Sequence, residues 1–291
     1  MTRMLAAELF KLRKRMMTWV LAVLLAGLVI MLYSILWSIS GRATTFGEMH
    51  QFTGEQLRRA LFLQTSVPFS LEIVASFGTI FAMILAAGAA GSEYSWGTIR
   101  LAATAASGRI RLLVAKLLVV CGLIIAGTLL AVAVAVAYSS VITVLNGGTS
   151  LDFVTAAFLR DQAAAFGRTL FVIAPYVALA YAMAVLGRST LLGVGSGLGF
   201  AFMEPLIGGL MRLGGSPWED IPRYFMNINV QVIRQQNSVP GALPRFGADR
   251  ADLERLNANS PQEAAIILAI YSIVFIALAC WVYRRRDITS G

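Results

Sequence analysis

Glu204 is the residue of this sequence that could most readily do chemistry, because it is an acid inside the apolar stretch GVGSGLGFAFMEPLIGG at 193–209. A carboxylate at the centre of a membrane-spanning helix costs about 2.5–3.5 kcal/mol on insertion scales, so this side chain must face protein or water. Small residues share its helical face at steps of three or four. They are Gly193, Gly197, Ala201 and Gly208.

This small-residue face has three interpretations. It is a packed helix interface, such as a dimer seam, in which Glu204 is hydrogen-bonded or neutral. Alternatively, it is one wall of a path on which Glu204 attracts a cationic or polar solute. The third alternative is that the helix ends early and the acid reaches outer water.

Motifs for catalysis, metal binding and nucleotide binding are absent from the sequence. It has no H-E-x-x-H or G-x-S-x-G motif and no pair of aspartates within an apolar run, so no catalytic residue is predicted. The single histidine, His50, stands beside Met49, and one His with one Met is not a metal-ligand set. A G-x-x-x-x-G-K-[ST] loop is missing, so the chain cannot bind ATP in the manner of a P-loop.

Composition places these residues in a membrane protein. Of the 291 residues, 58% are hydrophobic and 13% are charged. The charged share is about half that of soluble domains. The net charge of +9 comes from basic residues beside the ends of apolar runs, which indicates contact with membrane lipid and not with nucleic acid.

Six charge-poor runs predict an all-α membrane protein with six transmembrane helices in a single domain, 1–291. The predicted spans are 18–40, 67–91, 117–145, 169–187, 191–211 and 263–283. The segment 212–262 is predicted to be an outer loop with short helices lying on the membrane surface. Lys and Arg are about twofold denser on the side of the two termini, which predicts cytoplasmic termini in a bacterial-type cytoplasmic membrane.

Residues 1–17 are predicted to form an amphipathic helix in the membrane interface. Leu5, Leu9, Leu12 and Met16 recur at helical steps, and most basic side chains lie away from that face. One interpretation is a basic flank of the first span without a further role. The other is an elbow helix that connects the first span to a cytoplasmic partner.

The stretch SEYSWGTIR at 92–100 interrupts the apolar runs with polar and basic residues. Ser92 is predicted to end the second helix and to cap a new one. Tyr94 and Trp96 suit the headgroup level of a membrane. An ordinary connecting loop with an aromatic belt would have a similar composition.

The segment EYSWGTIRLAATAASGRIRLLVAKLL resembles the one after the second span in permease subunits of type-2 ABC exporters, which show an E-x-x-x-G-T-x-R run. The matching residues are Glu93, Gly97, Thr98, Arg100, Arg109 and Lys116. The start ELFKLRKRMMTW and the end YRRRDITSG are also similar to that family. Their matching residues are Glu8, Lys11, Trp19, Arg285, Arg286 and Asp287.

The resemblance implies roles for two cytoplasmic segments. A coupling helix between spans two and three would sit in a groove of the ATPase subunit, and its residues would be Glu93, Tyr94, Ser95, Trp96, Gly97, Thr98, Arg100 and Arg109. The elbow would contain Glu8, Lys11, Arg13, Arg15 and Trp19. Movement of the ATPase would pass through both segments into rigid-body motion of the bundle.

The resemblance also implies the task and the partners. The chain would be a permease, not an enzyme, that moves a hydrophobic or amphiphilic solute out of the cytoplasm and binds no cofactor itself. Two ATPase subunits, which hold ATP and Mg, and a second permease copy in a homodimer are the expected partners. The alternatives are a non-transporting membrane scaffold or resistance-sensing subunit, and an ion-coupled secondary transporter that uses Glu204.

Overall fold

The computed structural model describes residues 2–41, 54–95, 109–146, 152–237, 253–254 and 257–285. Helices account for 91% of these residues, and no strand occurs among them, which confirms the all-helical fold class. In chain order the helices are α1 (Thr2–Lys14), α2 (Met16–Ser40), α3 (Gly54–Ala60), α4 (Leu63–Ile73), a π turn (Val74–Gly78), α5 (Thr79–Ser95), α6 (Arg109–Leu145), α7 (Ala156–Gly187), α8 (Thr190–Leu213), a 3₁₀ helix (Trp218–Tyr224), α9 (Met226–Gln235) and α10 (Pro261–Arg285).

Six helical stretches within the described ranges are long and apolar enough to cross a membrane, which confirms the predicted number. They are Met16–Ser40, Leu63–Ser92, Ile110–Leu145, Ala156–Gly187, Thr190–Leu213 and Pro261–Arg285. In the second stretch α4, the π turn and α5 follow one another without a break. This is the architecture of a multi-pass membrane protein.

Two of the six stretches form the centre of the bundle. In their most apolar parts Leu63–Ser92 is 72% buried and Ala156–Gly187 is 67% buried, against 17% to 22% for the other four. α7 packs against α5, α8 and α10. Small buried side chains, such as Ala180 and Ala184, let these helices come close. The outer stretches leave many apolar side chains facing outward, as helices next to lipid do.

α6 and α7 begin earlier than the sequence predicted. The predicted spans 117–145 and 169–187 are parts of helices that start at Arg109 and Ala156. The predictions required charge-free runs, whereas the added turns contain charged residues that are good helix formers, such as Arg160. Charge limits how much of a helix lies in hydrocarbon, and it does not set where the helix begins.

The predicted helix break at Ser92 is wrong. α5 continues through Ser92 to Ser95, and the Ser92 hydroxyl accepts a hydrogen bond from Arg15 instead of capping a new helix. Gly91 is needed here for close packing, because a Cβ at this position would lie 2.6 Å from the Cα of Thr190 at the start of α8. The glycine therefore marks a contact between helices and not the end of one.

The segment 212–262 contains short helices, as predicted, but α9 does not lie on the surface. Its buried residues are Met226, Asn229, Val230, Val232, Ile233 and Arg234. α9 packs against α7, α8 and α10 at the end of the bundle opposite to α1. The prediction relied on the loop-like Pro and Gly content of the segment, whereas the apolar face of α9 is buried against its neighbours. The two ends of the bundle are named below the α1 end and the α9 end.

Candidate functional site

Glu8 is buried where α1 packs against α6. It is 5% exposed, and its Oε2 lies 3.6 Å from Nζ of Lys116, which is 6% exposed. Its Oε1 accepts a hydrogen bond of 2.7 Å from Nζ of Lys11, one turn further along α1. Charges buried this deeply must be paired, so these contacts hold α1 in one position on α6.

Arg15, which stands between α1 and α2, connects this corner to α5. Its Nη1 donates to Oγ of Ser92 at 2.6 Å and to the carbonyl oxygen of Gly88 at 3.3 Å. Both acceptors lie in the last turns of α5. Because a planar guanidinium bonds in few orientations, this contact fixes the corner against α5.

Two side chains of α2 close the corner between α1 and α2. Thr18 Oγ1 donates to the carbonyl oxygen of Leu12 at 2.7 Å, and Trp19 Nε1 donates to that of Arg13 at 2.8 Å. These carbonyl groups belong to the last turn of α1 and lack their usual helical partners. The two side chains therefore end α1 and set its angle to α2.

The corner contacts define an elbow cluster that consists of Glu8, Arg15, Ser92 and Lys116. Ser92 and Lys116 lie on either side of the segment 96–108. The corner residue Arg15 contacts the helix before this segment, and α1 contacts the helix after it. Arg13 and Trp19, two further predicted elbow residues, have exposed side chains. The sequence indicated the elbow residues but not their partners in α5 and α6.

The predicted apolar face of α1 is divided in the structure. Leu12 is buried and Leu5 packs against the core, whereas Leu9 is 47% exposed. The predicted helix 1–17 ends at Lys14, so Met16, which is 81% exposed, begins α2 instead. The stripe that faces the bundle runs through Leu5, Glu8 and Leu12. An acid was not expected in this stripe, because its burial depends on Lys116, which is far away in the sequence.

Part of the predicted coupling helix lies outside the described residues, namely Trp96, Gly97, Thr98 and Arg100. For three more residues of the predicted coupling helix, the structure describes the backbone, in α5 or α6, but not the side chain. These residues are Glu93, Ser95 and Arg109. Tyr94 is partly buried and lines a small pocket with Lys116, Tyr181 and Tyr283. This pocket places the elbow cluster next to α7 and α10.

Glu204 caps α9 from a neighbouring helix. Its buried carboxylate accepts hydrogen bonds from the backbone N–H groups of Met226 and Asn227, the latter at 3.0 Å. These are the first two residues of α9, and the preceding Phe225 offers no capping side chain. The carboxylate satisfies two N–H groups left over at the start of the helix and meets the positive end of its dipole.

The small-residue face of α8 packs inside the chain. Its buried residues are Gly193, Gly197, Glu204 and Gly208, and Ala201 is partly buried. A Cβ on Gly193 would lie 2.6 Å from Cβ of Ala184 and 2.7 Å from that of Ala87, so glycine is required for this approach of α8 to α7 and α5. The face is occupied within one chain, and the expected homodimer does not rest on it.

A buried ion pair at the α9 end was not predicted. Arg234 donates through Nη2 to the carboxylate of Glu72 and, at 2.7 Å, to Oγ of Ser76. Ser76 lies in the π turn, a local widening of the helix that occurs often at functional sites. The available signal was Arg234 itself, a basic residue one helical turn after the apolar Val230.

Metal binding finds no support in the described part of the chain. Within it, no group of three or more His, Cys, Asp or Glu side chains could hold a metal ion. His50 lies outside the described residues.

A comparison with known protein families assigns the chain to one of them. The profile of a family described as "Protein of unknown function (DUF2705)" matches residues 62–289. The chain belongs to this family. The DUF2705 match contains Glu72, Lys116, Glu204 and Arg234 and leaves α1, α2 and α3 before it. A comparison with curated proteins gives no match.

Proposed function

We propose that this chain is the membrane-spanning permease subunit of an ATP-binding-cassette exporter that moves a hydrophobic or amphiphilic solute out of the cytoplasm. The proposal starts from the resemblance of three segments of the sequence to type-2 exporter permeases. The six apolar helices and the position of the elbow cluster support it. The ATPase, with its ATP and Mg, is a separate chain in two copies, a second permease copy completes a homodimer, and the α1 end faces the cytoplasm.

The observation that carries the proposal is the double attachment of α1. The corner that follows α1 is bound to the end of α5 through Arg15 and Ser92, and α1 itself is bound to the start of α6 through Glu8 and Lys116. A partner that displaces the segment 96–108 would therefore move α1, α5 and α6 together instead of bending the connection between them. A loop that merely joins two helices needs no such attachment.

Motion of α5 would reach the whole bundle, since α5 belongs to a central stretch and packs against α7 and α8. At the α9 end, Glu72 and Arg234 connect this same stretch to α9, and Glu204 connects α9 to α8. We expect these contacts to keep the α9 end closed while solute enters from the α1 end. They would separate, or shift as one body, when the solute leaves.

The first test is association of the full-length chain with an ATPase. Tagged protein is purified in mild detergent from its own membranes, and bound chains are identified by mass spectrometry. We expect a chain with a P-loop to bind the wild type and to bind a Glu93→Arg/Gly97→Pro variant about tenfold less, which corresponds to about 1.4 kcal/mol. Glu219→Arg changes an exposed acid at the α9 end and should bind normally. Equal binding by the double variant would contradict the coupling role.

Reconstitution of the purified complex in vesicles distinguishes the exporter from the alternatives. A panel of hydrophobic fluorescent dyes is supplied on the α1 side, and their movement to the other side is followed after addition of ATP. Movement that depends on ATP supports the exporter. ATP hydrolysis without movement of any dye would favour the scaffold, and movement driven by an ion gradient alone would favour a secondary transporter that uses Glu204.

A further inference from the structure

An apolar cavity of about 300 Å³ lies between α2, α5 and α6 beside the elbow. Its size is at the lower end of the range for ligand sites. Along the second stretch its wall runs from Val74 to Leu85. With a helical rise of about 1.5 Å per residue, the stretch from Val74 to Leu85 is about 16 Å long. This length is close to half of a hydrocarbon core of about 30 Å. The cavity therefore extends through about one leaflet, beginning at the α1 end.

The uncharged polar groups in the cavity wall are already bonded to the backbone. Thr128 Oγ1 donates to the carbonyl oxygen of Ile124 at 2.9 Å. Thr18 and Trp19 donate to the carbonyl oxygens that end α1. A cavity whose polar groups are satisfied in this way offers water few partners and stays dry, so it suits a hydrocarbon chain.

Arg13 stands at the mouth of this cavity. Its side chain is exposed, and its guanidinium makes no hydrogen bond or ion pair with any residue that the structure describes. Leu9, one helical turn earlier in α1, also lines the mouth. An apolar cavity one leaflet deep thus ends in a positive charge at the membrane interface.

We propose that this cavity binds one acyl chain of an anionic phospholipid, whose phosphate is held by Arg13. A zwitterionic lipid such as phosphatidylcholine also carries a phosphate, but its cationic choline group offsets that charge, and a free phosphate would leave the cavity empty. The guanidinium matches a phosphate in charge and in the fork geometry of its donors. This binding is independent of the proposed export function, since a lipid site could serve a bundle with any task.

The test uses phosphatidylglycerol with a photoreactive diazirine in one acyl chain, added in trace amounts to phosphatidylcholine vesicles that contain the full-length protein. A phosphatidylcholine probe with the same labelled chain is the comparison. After illumination, labelled peptides are mapped by mass spectrometry. We expect phosphatidylglycerol to label the cavity walls at 74–85 and 123–130 more strongly than phosphatidylcholine does.

A matched pair of glycine substitutions tests the cavity. A Cβ on Gly127 would meet Leu25 at 3.9 Å, an ordinary contact, so Gly127→Leu should fit and fill the cavity. Gly122, on the same helix, has nothing within 4 Å of such a Cβ and does not line the cavity. We expect labelling of the walls to be lost in Gly127→Leu and retained in Gly122→Leu. If Gly127→Leu does not fold, Ala22→Phe fills the cavity from α2.

A second pair tests the charge. Arg13→Gln should lower labelling by phosphatidylglycerol about fivefold, the factor given by about 1 kcal/mol for a basic residue at an anionic membrane surface. It should lower labelling by phosphatidylcholine less, because the choline cation offsets the charge of that lipid's phosphate. Lys14→Gln removes a neighbouring exposed charge that does not line the cavity, and it should change neither. Equal labelling by both lipids in the wild type, or retained labelling in Gly127→Leu or Ala22→Phe, would overturn the proposal.

Discussion

Oε2 of Glu8 lies 3.6 Å from Nζ of Lys116, and both side chains are almost fully buried. This contact joins the first helix of the chain to the base of the third apolar stretch. With the bond from Arg15 to Ser92, it attaches α1 on both sides of the segment that we propose an ATPase contacts. Each attachment can be removed by a single substitution.

Replacing Lys116 by methionine is expected to loosen α1 from α6. The substitution leaves the buried Glu8 to Lys11 alone. We expect a loss of about 1–3 kcal/mol, less than for a fully broken buried pair because Lys11 remains. Thermal unfolding of the purified protein and hydrogen exchange of α1 measure the effect.

The double variant Glu8→Gln/Lys116→Met is the control for this contact. It should recover part of the stability lost in Lys116→Met, because no charge is left buried without its main partner. A loss in the double variant equal to the sum of the losses in Glu8→Gln alone and Lys116→Met alone would show that the two side chains do not interact.

Replacing Arg15 by glutamine is expected to free the elbow from α5. Spin labels on Ala6 of α1 and Arg284 of α10, in a background without the native cysteines, report the position of α1. The distance distribution should broaden in Arg15→Gln, because the bonds to Ser92 and Gly88 are lost. Lys14→Gln removes an exposed charge and should keep the narrow distribution; broadening in both variants would mean that the Arg15 contacts are not the cause.

Replacing Glu204 by glutamine is expected to weaken the start of α9. A glutamine amide retains one acceptor oxygen but turns an NH₂ group toward the other N–H, so one hydrogen bond and the interaction with the helix dipole are lost. We expect destabilisation by about 1–3 kcal/mol. The amides of Met226 and Asn227 should exchange faster with solvent. Glu219→Gln, at an exposed acid, should change neither quantity, and unchanged exchange in Glu204→Gln would contradict the cap.

Two glycines of α8 are expected to respond to alanine with opposite signs. Gly193→Ala would place its Cβ against Ala184 and Ala87, which should cost about 1–3 kcal/mol by overpacking. Gly195→Ala meets nothing within 4 Å and should stabilise the helix by up to about 1 kcal/mol through its higher propensity. Shifts of the melting temperature in the same direction would contradict the close contact of α8 with α7 and α5.

The features that the sequence predicted are those that depend on local spacing. The six apolar helices follow from the length that a membrane requires, and the buried face of α8 follows from helical periodicity around Glu204. Glycine patterns were less reliable, since Gly91 looked like a helix end and instead allows contact with Thr190.

Contacts between distant segments could not be predicted in this way. Glu8 meets Lys116 and Glu72 meets Arg234, although the chain has 24 basic residues that each acid could have met. Their pairing depends on how the helices pack, which a single sequence does not contain. Burial of α9 was not predicted for the same reason, because the helices that cover its apolar face are α7, α8 and α10.

Cross-linking from position 96 tests the central claim most directly. A photoreactive amino acid replaces Trp96 in the full-length chain in its own membranes, and the exposed Trp218 at the α9 end is replaced in the same way as a control. We expect a covalent product with a P-loop ATPase from position 96 and none from position 218. Absence of that product, or reaction of position 96 with a membrane-impermeant reagent added outside intact cells, would contradict a permease whose α1 end binds a separate ATPase in the cytoplasm.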